Sequence, residues 1–428
     1  MKITRLAAVG VAAALALTAC GGSSSGSASG ASGNGSSGGK TEVRLWLNGT
    51  DTPQPVRDYA IATFNAAHPN AKLVIEEQVW DGLVDKLTTA LSGNDSPDVV
   101  EVGNTQAVAF TSAGAFEDLT SRKDELGGGD LLSGFVDSGS YDGKLFAPPY
   151  YAGSRLVFYR KDLFAKAGLK VPTTLEEYVA AGEKLKEQNA KANFSGIYFP
   201  GQDWRNALPF IWAEGGDLAV QKDGQWQGDL SAPGSIKGLQ MVQTVMQQAS
   251  GAPKDGNETD PQVPYCAGQI GMLSAPGWVK GVVLAPEGGC PKAEKDLGVF
   301  ALPGSTPGQT APIFLGGSNI AVSAKSKNPD LAYDVVKLLL SDGYQSKLAE
   351  AGLIPAKTSL VTKMGTDEVA TATAAAAQNT KLTPAAPGWA NVEADKIMED
   401  LFVNIARGGD VTSLAQAADA KITAALNR

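Results

Sequence analysis

The segment TEVRLWLNGTDTPQPVRDYAIATFNAAHPNAKLVIEEQVWDGLVDKLTTALSGNDSPDVVEV, residues 41–102, decides the fold class. Thr41 to Leu47 alternates between polar and strand-forming apolar residues and breaks at Asn48-Gly49, the signature of a half-buried strand followed by a turn. Pro55 to Ala67 has helical periodicity and stops at His68-Pro69-Asn70. Lys72 to Val79 predicts a second strand. Asp81 to Leu91 predicts a second helix with Leu83, Val84, Leu87 and Leu91 on one face. Asp98 to Val102 predicts a third strand, and Gln106 to Ser112 opens another helix. Strand and helix alternate, which predicts an α/β fold with a parallel sheet and helices on its faces.

The alternation continues outward. Arg155 to Tyr159 reads as a strand, followed by helices over Lys161 to Ala167 and Leu175 to Gln188. Thr173 and Thr174 supply the cap of the latter, with Glu176 and Glu177 in its first turn. Further amphipathic helices are expected over Ile236 to Gln248, Pro329 to Leu340, Glu368 to Gln378, Val392 to Ala406 and Leu414 to Leu426. In open α/β sheets ligands sit beyond the carboxyl ends of strands, so Asn48 to Asp51, Gly103 to Gln106 and the Pro148 to Arg155 crossing are the segments to watch.

On the other side of the opening segment the composition changes. Residues 21–40 are almost wholly Gly, Ser and Ala, which bury no core and form a flexible tether of about 25 Å r.m.s. reach. Ahead of it, Lys2 and Arg5 precede an apolar run from Leu6 to Ala19 that is too short to span a bilayer, then Leu17-Thr18-Ala19-Cys20. A cleaved signal peptide over 1–19 fits this order. The tetrapeptide is similar to a bacterial lipobox, which implies acylation of Cys20 and a membrane anchor through lipid alone.

The chain has 428 residues with a formal net charge of -9, so two lobes are expected and an electrostatic footprint for nucleic acid is not. One histidine removes most metal and acid–base chemistry, and neither metal nor cofactor is expected. With Cys20 assigned to lipid, Cys266 and Cys290 remain as an even pair in an oxidising compartment and point to a disulfide.

Several segments together resemble one family. They are LSGNDSPDVVEVGNTQ (91–106), GKLFAPPYYAGSRLVFYRKDLFAKAG (143–168), AEGGDLA (213–219), GQIGMLSAPGWVKG (268–281), FLGGSNIAVSAKSKNPDLAYDVVKLLLS (314–341) and GWANVEADKIMEDLF (388–402). In order, across essentially the whole mature chain, they resemble the family 1 extracellular solute-binding proteins of bacterial sugar importers. GNTQ, GQDW and FLGGSN most resemble the actinobacterial binding proteins for N,N′-diacetylchitobiose and N-acetylglucosamine. The resemblance implies a two-lobe type II periplasmic-binding-protein fold, similar to maltose-binding protein, with sugar held in a cleft between the lobes. Crossings are expected near Pro149 to Gly153 and Ile313 to Gly317. Lobe 1 is then 41–150 plus 316–360, and lobe 2 is 151–315 plus 361–428. The implied partners are an oligosaccharide, a membrane permease and a separate ATPase, since no Walker motif occurs here. The protein itself is expected to be a monomer.

A pyranose presents hydroxyls around its ring and C–H groups on its faces, so its binder needs flat aromatic platforms and planar polar groups. Trp278, after Ala275-Pro276-Gly277, and Trp389, after Gly388, match the family's platforms. Trp204 lies in the polar loop Gly201 to Arg205, and Trp80 is a further candidate; Trp46, Trp212 and Trp226 read as structural. Asn48 and Asp51 follow the first strand, and Asn104, Thr105 and Gln106 follow the third; each fits a turn or cap as well as a hydroxyl partner. Asp203 and Arg205 flank Trp204 and suit charge-assisted bonds or a surface ion pair. Ser318 follows Gly316-Gly317 at the second crossing, and Tyr151 lies at the first, where Arg155 reads equally as a hinge brace.

Three rival readings stand beside this one. An extracellular hydrolase needs paired carboxylates or an activated nucleophile, and the lone His68 has no G-x-S-x-G partner. An iron binder of the same fold class would use Tyr150 and Tyr151. A purely adhesive lipoprotein would gain no stability from any small ligand.

Overall fold

The computed structural model describes residues 39–428 apart from 190, 192 and 378; the expected signal peptide, Cys20 and all but the end of the tether lie outside the described residues. Strand β1 (Thr41–Asn48) buries Val43, Leu45 and Leu47 completely. It lies between β2 (Ala71–Gln78) and β3 (Val99–Gly103), parallel to both. Helix Gln54–Ala67 joins β1 to β2 and packs Val56, Ala60 and Phe64 inward, the i, i+4, i+8 stripe its sequence promised.

The chain leaves this unit on β4 (Pro149–Arg160), a 12-residue strand. It then builds a second unit around β5 (Ser195–Tyr198), β6 (Ile270–Pro276) and β7 (Leu297–Phe300), and returns on β8 (Ile313–Val322). One sheet runs through both units in the order β2-β1-β3-β8-β4-β6-β5, with β7 paired to β4. The expected parallel sheet is therefore mixed. β1 is parallel to β2 and β3, and β5 to β6, whereas β8 is antiparallel to both β3 and β4. The reason is topological: a strand that carries the chain out and one that brings it back run in opposite directions when they lie side by side.

Two bodies of apolar side chains flank these crossing strands. One collects residues between Val43 and Tyr151 and between Ile320 and Ala356; the other collects residues from Leu156 to Phe314 and from Val369 to Leu426. This is the two-lobe type II arrangement, with the chain passing between lobes on β4 and β8.

Local chemistry explains the helix ends. The Thr174 hydroxyl accepts from the Glu177 amide at 3.1 Å while the Glu177 carboxylate accepts from the Thr173 amide at 2.7 Å, a reciprocal cap on helix Leu175–Glu187. The single helix expected over 392–406 is two, Trp389–Ala394 and Ile397–Ala406, because Lys396 adopts φ 52° and breaks it. Cys266 and Cys290 are joined as a disulfide with Cα atoms 5.5 Å apart. Among the described residues no helix is long and apolar enough to cross a membrane.

Candidate functional site

The seam between the lobes is glycine-rich where β4 and β8 face each other: Gly316 pairs with Gly153 and Gly317 with Ala152. Gly317 has φ +142°, and a Cβ there would meet the Tyr151 carbonyl oxygen at 2.3 Å, so only glycine fits. A Cβ on Gly153 would stand 2.5 Å from Cζ3 of Trp278. Trp278 follows β6, is half-buried, and packs against the cores of both lobes. The missing side chain of Gly153 is what lets this indole pack directly against the crossing strand.

The lobe 1 wall is a polar network. The Tyr151 hydroxyl donates to Glu101 Oε1 at 2.9 Å and lies 3.3 Å from Asp51 Oδ2, which also accepts from the Trp80 indole N–H at 3.0 Å. Trp80 is 39% exposed and lies against Gly49 and Gly103. Glu101 is fully buried on β3 and accepts the Asn48 amide N–H at 2.7 Å, while the Asn48 side-chain N–H reaches the Glu101 carbonyl at 3.2 Å. Burial pushes Glu101 up to about 7. Asp51 is also raised by burial, opposed by its bonds from Trp80 and Tyr151, and Glu258 of the other lobe raises it further.

The lobe 2 wall centres on Arg155, buried on β4. It donates to Asn206 Oδ1 at 3.1 Å and the Ser274 carbonyl at 3.2 Å, pairs with Glu258, and stands 3.5 Å from Asp203. Burial pushes Asp203 up to about 7 against the pull of Arg155; Glu258 is held low by Arg155 and Arg205 although its burial opposes ionisation. The Arg205 guanidinium lies over the Trp204 ring at 4.5 Å. Trp204 and Trp389 are both 0% exposed and meet edge to face with centroids 6.3 Å apart. Their N–H groups donate to Glu399 at 3.1 Å and Glu393 at 3.0 Å. These two rings are enclosed, and the indoles at the seam that keep open surface are Trp80 and Trp278.

Gln106 ties the walls together: its amide N–H donates to Glu393 Oε2 at 2.9 Å, the carboxylate that also holds Trp389. Asp51 and Tyr151 are joined through Glu101 with Asn48 behind it, Asp203 and Arg205 through Arg155 and Glu258, and Trp204, Trp389 and Gln106 through ring contact and Glu393, while Trp278 stands against Gly153, two residues from Tyr151. Ser318 is buried beside Tyr151 in register, and its neighbour Asn319 is a bolt within lobe 1, donating to the Phe135 and Ala147 carbonyls at 2.7 Å each. Asn104 and Thr105 instead line a separate cavity of about 150 Å³ that none of the indoles touches.

Sequence reasoning missed Glu101, Glu258, Glu393 and Glu399. The readable signal for Glu101 was a carboxylate inside the otherwise apolar strand DVVEV, since a buried charge demands partners. Glu258 sits in a polar loop and gave none.

Chemically the seam offers indole faces, carboxylates and amides, the set a neutral hydroxylated ligand needs. It does not favour the iron reading. The Tyr150 hydroxyl is bonded to Thr52 at 2.9 Å and to Tyr344 at 2.6 Å, and burial raises both tyrosines, opposing the phenolate that ferric iron requires. Among the described residues no group of three His, Cys, Asp or Glu side chains is placed to hold a metal ion.

Residues 48–346 match the family described as bacterial extracellular solute-binding protein. The chain is 37% identical over 401 residues, 92% of each chain, to the diacetylchitobiose binding protein DasA of Streptomyces coelicolor. It is 24% identical over 366 residues to the galactooligosaccharide-binding protein of Bacillus subtilis, covering 82% of this chain and 79% of that one. Among solved structures it superimposes on an ABC transporter solute-binding protein of Thermotoga lettingae bound with α-D-tagatose at TM-score 0.78 and 19% identity, over 90% of this chain and all of that one. The GacH receptor of Streptomyces glaucescens, solved unliganded and with acarbose, gives TM-score 0.77 at 23% identity over 91% of this chain and 99% of that one. These two likenesses concern the fold.

Proposed function

The chain belongs to the bacterial extracellular solute-binding protein family, whose members bind rather than transform, and from this we propose that it captures a sugar for an ABC-type importer. The proposed ligand is N,N′-diacetylchitobiose or N-acetylglucosamine; the other di- and oligosaccharides, of cellobiose, maltose or trehalose type, are the second reading. The observation that carries the proposal is the seam, where Trp278 rests on both cores beside the Asp51–Tyr151–Glu101 and Arg155–Asp203–Glu258 networks. A 37% identical relative whose name specifies diacetylchitobiose narrows the choice of sugar.

The sugar enters when the lobes, proposed to divide at 150/151, 315/316 and 360/361, part at the β4–β8 crossing. It lies with a face on Trp278 and Trp80 and its hydroxyls on Asp51, Arg205 and the Glu258 rim. A ligand that touches both walls binds the closed state better and shifts the population toward it. In this reading Cys20 carries lipid and the monomeric protein presents its closed form to a membrane permease served by a separate ATPase.

Thermal-shift and calorimetric titration with chitobiose, N-acetylglucosamine, cellobiose, maltose and trehalose tests the proposal. Micromolar or tighter binding of a chitin sugar, with the sugar recovered intact, supports it. Preference for another sugar moves the assignment to the second reading, and release of monosaccharide with turnover restores the hydrolase.

A further inference from the structure

We infer that the Cys266–Cys290 disulfide is a positioning element of the sugar site: it holds the turn that carries Trp278, so the indole meets the ligand as a fixed platform rather than a mobile one. The inference rests on the sugar-binding reading and adds to it a pair of cysteines whose work is done through the indole.

The placement of Trp278 is set by the backbone on either side of it. Upstream the anchor is firm, because β6 ends at Pro276, paired in register with Arg155 of β4. Downstream, Trp278 is the N-cap of helix Val279–Val283, and its carbonyl accepts the Gly281 N–H at 2.9 Å. A helix of 5 residues is far below the length that holds itself together in water, so its position comes from what it is fastened to. Val279 and Val283 are buried against the lobe 2 core, whereas Val282 on the outer side is 40% exposed.

The disulfide grips the far end of this helix. The Cys290 N–H donates to the Val283 carbonyl at 2.7 Å, and Cys266 Sγ lies 3.9 Å from the same oxygen. The loop between Val283 and Cys290 folds tightly onto the helix end: a Cβ on Gly289 would meet the Val283 carbonyl oxygen at 2.7 Å and the Ala285 carbonyl oxygen at 2.6 Å. Cys266 ends helix Gln262–Cys266 just ahead of β6, where its neighbour Tyr265 is buried. The cross-link therefore ties the end of the Trp278 helix to the segment that enters β6, and it closes 24 residues with Trp278 at their centre.

One other fastening reaches the helix. Lys280 Nζ pairs with Asp367 at 2.9 Å, but the two side chains are 33% and 57% exposed, and an ion pair so open to solvent contributes little. It does not replace a covalent link. Opening the S–S bond leaves the β6 end in place and frees the far end, so the indole gains room to swing away from Gly153. A mobile platform must be ordered each time sugar binds, which lowers affinity. Because the disulfide acts through Trp278, its loss can cost no more than loss of the indole itself, about 5-fold.

Chitobiose is titrated by calorimetry into wild type, the Cys266→Ser/Cys290→Ser variant, Trp278→Ala and the variant combining all three, each well below its own Tm. Wild type opened with a phosphine gives a second route to the same state if the serine variant folds poorly. The phosphine gives two electrons to the S–S bond and leaves as its oxide, with water supplying the oxygen and both thiol protons. Both cysteines are half-buried rather than sealed, so the reagent reaches them. The opened forms should bind about 2- to 5-fold more weakly and show faster acrylamide quenching than wild type. In the Trp278→Ala background, loss of the disulfide should still lower Tm while affinity and quenching stay as they were. A bridge that serves stability alone lowers Tm and leaves affinity unaltered in both backgrounds, and that result overturns the proposal. An equal affinity loss with and without Trp278, or a loss larger than that of Trp278→Ala, overturns it as well. Each of these outcomes leaves the sugar-binding reading intact; failure of wild type to bind either chitobiose or N-acetylglucosamine overturns both.

Discussion

Replacing Gly153 by alanine tests whether Trp278 works from the position in which the seam holds it. The new Cβ would lie 2.5 Å from Trp278 Cζ3 and 3.3 Å from Cη2, whereas non-bonded carbons rest at about 3.5–4.0 Å. The ring edge must retreat by about 1 Å, and overpacking of that kind costs about 1–3 kcal/mol when nothing yields. Trp278 is only half-buried, so the ring yields outward and much of the cost appears as a displaced platform. Loss of aromatic contact with a sugar face, about 1 kcal/mol, weakens binding roughly 5-fold, with more if the tilted ring blocks the ligand. Calorimetry on wild type, Gly153→Ala, Trp278→Ala and the double variant closes a double-mutant cycle. In the Trp278→Ala background the added methyl enters space the indole has vacated, so the second substitution should leave affinity unchanged. An equal loss from Gly153→Ala in both backgrounds would refute the reasoning, because the effect would then run through the β4–β8 backbone.

The remaining expectations concern charge and cross-links. Glu101 is pushed up to about 7 from 4.5 by burial, so the folded protein keeps a proton the unfolded chain loses first. Its contribution is complete below about pH 4.5 and is lost as pH rises toward 7, a change on the order of 3 kcal/mol; melting curves from pH 4.5 to 8 should show wild type falling relative to Glu101→Gln across that window and parallel to it above. Arg155→Ala leaves Asp203, whose side chain is 2% exposed, without its counter-charge, and should cost about 3–5 kcal/mol in denaturant unfolding. Arg205→Ala, which removes a part-exposed cation–π contact and a 4.0 Å ion pair with Glu258, should cost only about 1 kcal/mol. Replacing Cys266 and Cys290 by serine opens a 24-residue closure and should cost about 3 kcal/mol, read as a lower Tm that matches the reduced wild type. Gln106→Ala removes the bond to Glu393 and should enlarge the ligand-free molecule in X-ray scattering and weaken sugar binding about 2- to 10-fold.

What the sequence disclosed and what it withheld divide along a physical line. β1 to β3 and the helices between them were legible because each alternates or repeats within a short window, and the cap on helix Leu175–Glu187 was legible because Thr174 and Glu177 are three residues apart. The antiparallel pairing of β4 with β8 was not, since it depends on two strands some 160 positions apart meeting edge to edge. The same holds for the site. Asp51 was named from residue type and place after a strand, Trp278 and Tyr151 with the help of the family resemblance, whereas Glu101, Glu258 and Glu393 acquire their partners only from residues distant in the chain. The enclosure of Trp204 and Trp389 against each other was hidden for the same reason: the polar loop around Trp204 advertised exposure, but Glu399 and Arg205 satisfy the indole from outside.

The unequal surroundings of the indoles have an optical consequence. Trp46, Trp204, Trp212 and Trp389 are shut away from water and should emit at short wavelength whatever the ligand state; half-buried Trp226, packed on the second core, adds a constant background, while Trp80 and Trp278 at the seam sense the solvent and the ligand. A saccharide settling on them should move the emission to the blue and slow acrylamide quenching of that fraction alone. The molecule thereby carries a native fluorophore pair from which occupancy can be followed without any added label.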